Sequence, residues 1–227
     1  MNYIIDNPDI VLGLLWQHLQ MTGIGVLVGL LIAVPIGTLI SHYRWLTVPV
    51  MGALGIFYTI PSLAVMIMLI PIFGLNATSV IIALILYVQV ILVRNVVTGL
   101  QSVHPMLLEA SRGMGMDPWQ RWYRVQVPLA LPIMLAGVRI ATVVAVGIAA
   151  IGAKFGAGGL GVLLFDGIAQ NRDDKIWAGT IVLAVLAFAL NGLLLALERA
   201  FDPMQRIKRA ERREQAARQA QEEAAIS

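Results

Sequence analysis

The side chains able to do chemistry are few and scattered. His18, His42 and His104 form no H-x-x-x-H pair and no cluster, so no metal site is expected from imidazole spacing. Cysteine is absent, which removes thiolate ligands, disulfides and cysteine nucleophiles. No G-x-x-x-x-G-K-[ST] string occurs, so the chain is not expected to bind ATP through a phosphate loop. Ser62 has no His or Lys partner at comparable depth, which argues against a hydrolytic pair inside the membrane. Two groups of polar residues remain. Gln89, Arg94, Asn95, Arg139 and Asn191 interrupt apolar runs, where such residues hold helices together or mark a transport path. Trp119, Arg121, Trp122, Tyr123 and Arg124 form an aromatic and basic stretch suited to recognition. The chemistry on offer is binding and movement.

The elements that must carry these residues are set by composition. Of 227 residues, 59% are hydrophobic and 13% charged, against about 45–50% and 25% in soluble domains. Mean hydropathy is +0.81. Those values exclude an ordinary soluble enzyme and a disordered chain, and they predict an all-α polytopic membrane protein. A bilayer-crossing helix needs about 20 mostly apolar residues. Five stretches meet that length, at about 19–40, 48–73, 77–100, 131–153 and 176–197. Pro61 lies inside the second and Pro71 near its end, which predicts a kink or break. Residues 158–169 are apolar but too short to cross, and read as a re-entrant or interfacial piece.

Residues 1–18 carry Asp6 and Asp9 and no Lys or Arg, the reverse of a cleavable signal, so the first span is expected to be retained. Basic residues then give the topology. Arg44 follows span one, and Arg112, Arg121 and Arg124 lie between spans three and four. Arg199, Arg206, Lys208, Arg209, Arg212, Arg213 and Arg218 follow span five. The opposite side receives Lys154, Arg172 and Lys175, diluted by Asp166, Asp173 and Asp174. Positive residues accumulate on the cytoplasmic side. The N-terminal segment 1–18 is therefore expected outside, and the basic tail 199–227 inside, of a bacterial cytoplasmic membrane. The net charge of +3 is a topology signal here; no nucleic-acid partner is expected.

The loop 101–130 is punctuated like two short helices. Pro105 suits a first helical position, Gly113 or Gly115 a helix end, and Asp117 with Pro118 the start of the next helix. Trp119, Trp122 and Tyr123 share one face. Pro128 and Pro132 are expected to close the unit before span four. Two roles fit these residues: a knob that docks on a partner protein, or an amphipathic loop with its Trp residues at headgroup depth.

Glu109-Ala110-Ser111, three residues, Gly115, nine residues, then Val125-x-Val127-Pro128 resembles the EAA motif of importer permeases of the ABC superfamily. Ser111, Val125 and Val127 depart mildly from its usual Ala, Ile and Leu. Leu131-Pro132, the string 135–141 and Gly152 to Gly161 resemble the osmoprotectant branch, the permeases for glycine betaine, carnitine and choline; Lys154 ahead of Phe155 is a departure. The resemblance covers about residues 19–198. It implies a five-helix permease core like that of the methionine importer, with loop 101–130 coupling it to an ATPase. The implied coupling residues are Glu109, Ala110, Ser111, Gly115, Asp117, Arg121 and Pro128. Small Ala110 would permit close approach, and Glu109 would pair with a basic group or cap the neighbouring helix. The implied partners are ABC ATPase subunits, a second permease alike or different, an extracytoplasmic solute-binding protein and membrane lipid. No cofactor is implied.

A solute path, if it carries quaternary ammonium compounds, would use aromatic faces. Tyr58, Pro61 and Ser62 at the break in span two, with Arg139 and Phe155, are the candidate path residues. Phe57 and Tyr87 are further aromatic candidates, and packing is the competing role for all of them. Three other readings are open: a permease for an amino acid or methionine, a secondary transporter, and an intramembrane enzyme. The near absence of Asp and Glu from the spans weighs against ion coupling, and the lack of a catalytic set against the enzyme.

Overall fold

The computed structural model describes residues 2–201, and every described element is helical. The helices are α1 (Asn2–Asp6), α2 (Pro8–His42), α3 (Thr47–Thr59), α4 (Ser62–Phe73) and α5 (Ala77–Gln101). After them come α6 (Pro105–Gly113), α7 (Pro118–Arg121), α8 (Val127–Gly152), α9 (Gly161–Ala169) and α10 (Asp173–Phe201). Four helical stretches are long and apolar enough to cross a bilayer, and the bent pair α3–α4 makes up to five spans. The basic tail beyond Phe201 lies outside the described residues.

Helix α5 is the hub. It packs against α2 on one side and α8 on another, and α8 packs in turn on α10. Of the apolar stretch of α5, 61% is buried, against 6% for α10, which places α10 at the periphery. The α2–α5 seam is built on small residues. Gly25, Gly29, Ala33 and Gly37 recur every four residues and are buried facing Leu84, Val88, Leu92 and Val96. A Cβ on Gly29 would lie 2.5 Å from Val88 Cγ2, and one on Gly37 2.5 Å from Val96 Cγ1. Lipid tails compete with apolar side chains for helix faces, so helices associate where small residues let backbones approach. Gly137 of α8 meets Asn95, and Gly152 meets Val80, by the same device. The Gln89 side chain adds a cross-helix bond, donating to the Gly29 carbonyl at 3.1 Å.

Three boundaries differ from the sequence expectation. Helix α2 starts at Pro8, so most of segment 1–18 belongs to the first span's helix. Its 35 residues make a rod of about 50 Å, longer than the ~30 Å hydrocarbon core, so one or both ends project into the interface. Pro8 in the first turn supplies the start that the apolar pattern alone does not mark. Pro128 and Pro132 do not close the loop unit. The chain is helical from Pro118 to Phe155, 38 residues without a break. A π-helical turn at Trp122–Gln126 precedes Pro128, with Val127 N–H bonding to the Trp122 carbonyl. That wider turn gives room for the Pro128 ring, while Pro132 lies within α8 itself. At the far end, α10 begins at Asp173, three residues before the expected span.

The second span breaks as expected. Ile60 and Pro61 are extended, with ψ of 129° and 134°, and α3 and α4 meet at 89°. Proline disfavours the helical region for the residue before it, which fixes the break at Ile60. Pro71 stays within α4, which ends two residues later at a left-handed Gly74. The short apolar piece forms α9, folded back on α10 through Gly167 against Ile176 and Gly179 against Leu163.

Candidate functional site

The loop between α5 and α8 projects as a helical hairpin. His104 caps α6 by accepting the Met106 N–H at Nδ1, 3.3 Å away, and Pro105 occupies the first turn. The hairpin turn is a left-handed helix cap. Gly115 N–H bonds to the Arg112 carbonyl at 2.9 Å, and Met116 N–H to the Ser111 carbonyl at 3.2 Å. Gly115 has φ of +79°, a conformation that costs other residues energy. A Cβ there would meet nothing within 4 Å, so glycine is required for its backbone and not for space within this chain. Asp117 then caps α7, accepting the Gln120 N–H at 2.8 Å while Gln120 Oε1 accepts the Asp117 N–H at 3.3 Å.

The motif residues divide by direction. Ser111 is buried; its hydroxyl donates to the Leu108 carbonyl at 2.8 Å within α6, and its own carbonyl accepts the Met116 N–H that closes the turn. Glu109 and Ala110 point out and are exposed. Of the two roles considered for Glu109, capping of α7 is taken by Asp117. Among the described residues Glu109 has no ion-pair partner, so its carboxylate is presented outward. Beside it Met106, Leu107 and Met114 are exposed and apolar. Arg121 lies half-buried behind the hairpin, and Pro128 is exposed in the first turn of α8. Trp119 and Trp122 stack at 4.9 Å between ring centroids, and Tyr123 leans on Trp119 at 6.1 Å. The hairpin is thus a knob that exposes Glu109, Arg112 and several apolar side chains, joined to α8 by continuous helix.

At the break in span two, Tyr58 and Tyr87 come together with ring centroids 5.8 Å apart. Tyr87 donates its hydroxyl to the Ile60 carbonyl, which the break has deprived of a helical partner. Pro61 is exposed and Ser62 half-buried. Phe155 and Phe57 pack on the same apolar cluster as Tyr87. The structure therefore brings Tyr58, Pro61 and Ser62 to the break, whereas Phe155 stands beside Gly156, which meets the Leu75 carbonyl past the other end of α4.

Arg139 is not part of that region. Its Nε donates to Glu198 Oε2 at 3.0 Å and its Nη1 to Asn191 Oδ1 at 3.4 Å, pinning α8 to α10. Glu198 was the missed partner. It stands at the end of the last apolar run and reads as the start of the tail, yet α10 extends to Phe201 and carries it beside α8. Of the other polar residues, Asn95 bonds back to its own helix at the Ile91 carbonyl, and Arg94 is exposed.

A second missed feature is the clasp on the glycine string. Gln17 Oε1 accepts the Gly159 N–H at 3.0 Å, and buried His18 bonds through Nε2 to the Val146 carbonyl at 3.2 Å. Gly158 and Gly159 both have positive φ, and a Cβ on Gly159 would meet His18. Two adjacent polar residues near the start of an apolar run were the available signal. No group of three His, Asp or Glu able to hold a metal occurs among the described residues.

A knob, a broken span and a polytopic helical core define the membrane component of a transporter. Residues 25–207 match the family described as binding-protein-dependent transport system inner membrane component, and the chain belongs to that family. Among its relatives, the osmoprotectant import permease protein OsmW of Salmonella typhimurium is 39% identical, the match covering 89% of this chain and 96% of that protein. The choline transport system permease protein OpuBD of Bacillus subtilis is also 39% identical, over 91% and 92%. The carnitine transport permease protein OpuCD of Listeria monocytogenes is 38% identical, over 89% and 92%. Among solved structures, an inward-facing MetNI methionine ABC transporter matches with TM-score 0.77 and 26% identity, over 85% of this chain and 96% of that one. An amino acid ABC transporter with histidines matches in fold, at TM-score 0.67 and 19% identity, over 88% and 96%. The chain is accordingly a multi-pass transport subunit of the inner membrane and not an enzyme.

Proposed function

We propose that this chain is the permease subunit of an ATP-driven importer for compatible solutes of the glycine betaine, carnitine and choline class. ATP hydrolysis takes place on a separate ATPase chain that seats the α6–α7 knob. A second permease chain completes the pore, and a binding protein on the opposite face delivers the solute. The observation that carries this reading is the knob itself. It presents Glu109 and Ala110 outward, is stiffened by Ser111, Gly115 and Asp117, and runs through the π turn into α8 without a break. When ATP closes the ATPase pair, a hairpin seated in it moves as a body, and continuous helix passes that motion to the spans. The names of the relatives support the solute class.

On the path, the break between α3 and α4 is the point where the span can hinge or open. The exposed ring of Tyr58, backed by the buried ring of Tyr87, suits a quaternary ammonium group better than a carboxylate. The α6–α7 knob and the C-terminus lie inside and the N-terminus outside.

Reconstitution tests the reading. The tagged chain, extracted in mild detergent with its stoichiometric partners, is placed in liposomes with ATP inside. Uptake of radiolabelled glycine betaine, carnitine or choline is expected, and unlabelled methionine is expected not to compete. Copurification without any P-loop ATPase refutes the importer reading. Uptake of methionine or another amino acid in place of betaines refutes the solute class alone. Because the chain has no cysteine, single cysteines at Asn7 and Gly113 report the orientation by their labelling from outside and inside.

A further inference from the structure

Behind the knob, where the end of α2 meets α7 and the π turn, lies a pocket that neither the fold nor transport accounts for. It is a polar cavity of about 300 Å³, lined by His42, Arg112, Arg121, Trp122 and Gln126 among others. Among the described residues no carboxylate lines it. Asp117 is next to the lining residue Pro118 in sequence, but its side chain is turned into the α7 cap. A smaller cavity of about 170 Å³ shares His42, Trp122 and Gln126 and adds Thr38 and Ser41. Arg121 Nε and Trp122 Nε1 are shut off from solvent and have no acceptor among the described residues; Thr38 Oγ1 is in the same position. The first two are donors only. Buried donors without acceptors are rare in folded chains and call for a partner. The partner that suits an orphan indole N–H and two guanidinium groups, one of them with its Nε unpaired, is an anion with several acceptor oxygens.

The third observation names the rest of the ligand. The polar pocket shares His42 and Trp122 with an open apolar trough of about 500 Å³, lined by Val34, Pro35, Leu39, Tyr43 and Trp119. The trough runs along the last turns of α2, a helix apolar enough to cross the bilayer. Tyr43, Trp119 and Trp122 at its rim are the residue types that sit at headgroup depth. An acid pocket on a partner protein would account for the cations but leave the trough unexplained. A phosphate group joined to hydrocarbon accounts for both.

We infer that the junction of α2 with the α7 turn is a binding site for an anionic phospholipid. Its phosphate sits between the Arg112 and Arg121 guanidinium groups, a small turn of the Trp122 ring bringing the buried indole N–H onto it, and one acyl chain lies along Val34, Pro35 and Leu39. Basic pockets between membrane helices are a known setting for acidic headgroups. The site holds the root of the knob, so a bound lipid braces the knob against α2 whatever solute is carried.

The test is native mass spectrometry of the detergent-extracted complex, chain plus copurifying partners, after exchange into mixed phosphatidylglycerol and phosphatidylcholine. The wild type is expected to retain phosphatidylglycerol in preference to phosphatidylcholine. Each basic side chain near a headgroup is worth roughly 1 kcal/mol, so the double variant Arg112→Gln, Arg121→Gln should weaken retention about thirtyfold. Trp122→Phe keeps the ring and removes one donor, and should give a smaller loss. It keeps the proposal testable if the double variant fails to assemble. Arg199→Gln, an exposed arginine away from the pocket, should change nothing. Equal retention of phosphatidylcholine, or unchanged phosphatidylglycerol binding by Trp122→Phe and the double variant, overturns the proposal. So does displacement of the lipid by inorganic phosphate alone, which would make this a free-anion site. Cross-linking of a photoreactive residue at Arg121 to the ATPase, with no lipid retained, would make the occupant a protein. None of these outcomes bears on which solute is transported.

Discussion

Replacing Gly115 separates two reasons a glycine can stand in the coupling motif. In this chain its φ is +79° and the space around a Cβ is open. An L-residue with a side chain pays about 1–2 kcal/mol in that conformation. If the knob docks only when its cap is formed, that penalty lowers the docking-competent fraction by about 5–30-fold. Gly115→Ala should therefore need 5–30-fold more ATPase to reach half-maximal coupled uptake in proteoliposomes, with the maximal rate retained at excess ATPase. Asn tolerates the left-handed region better, so Gly115→Asn should recover most of the loss. Gly115→Asp should fall between them, with an added charge at the interface, and Gly115→Val should be worst. All variants should reach the membrane, because the position lies outside the spans. The conformational account is refuted if Ala behaves as wild type. It is also refuted if Asn is as damaged as Val, because the glycine would then be required by contact with the partner.

Other substitutions test separate parts of the structure. Glu109→Leu should leave the chain inserted and the knob folded, since Glu109 makes no ion pair among the described residues, but coupled uptake should fall at least tenfold; full-rate transport would remove Glu109 from the docking surface. Arg139→Gln and Glu198→Gln should each destabilise the α8–α10 contact, and a double-mutant cycle by heat denaturation in detergent should return a coupling of about 1–2 kcal/mol for this largely buried pair. A coupling near zero would mean that the pair holds nothing together. Gly161→Ala drives a methyl into the Ala150 carbonyl and should cost about 3 kcal/mol, whereas Gly147→Ala, with nothing nearby, should be neutral or slightly stabilising. Fluorescence-detected gel filtration after heating distinguishes them. Tyr87→Phe keeps the aromatic pair and orphans the Ile60 carbonyl, at about 1–3 kcal/mol, and should lower thermal stability without abolishing assembly.

Much of this molecule is written in one dimension. A run of about 20 apolar residues must be a helix in lipid, because nothing else there satisfies the backbone. The spans, the break at Pro61, the hairpin in loop 101–130 and its Asp117 cap were therefore legible, since each depends on residues within a turn or two, while the choice of Gly115 over Gly113 for the turn was left to the structure. The Gly25, Gly29, Ala33, Gly37 stripe was also present in the sequence, but its use depends on which helix lies opposite, and that is α5. The proline pair after the knob misled for a related reason. Pro128 and Pro132 read as terminators by local rule, but the π turn at Trp122–Gln126 lets the helix run through Pro128, and Pro132 is held inside α8. Tertiary structure alone decided the pairs that are far apart in sequence: Arg139 with Glu198, Gln17 with Gly159, Tyr87 with the Ile60 carbonyl, and the α2 end with Arg121 and Trp122. In a bilayer the strength of such contacts comes from the absence of competing water, but their choice comes from how helices cross. Helix formation is settled within the segment, and helix crossing by the small residues that two segments happen to set against each other.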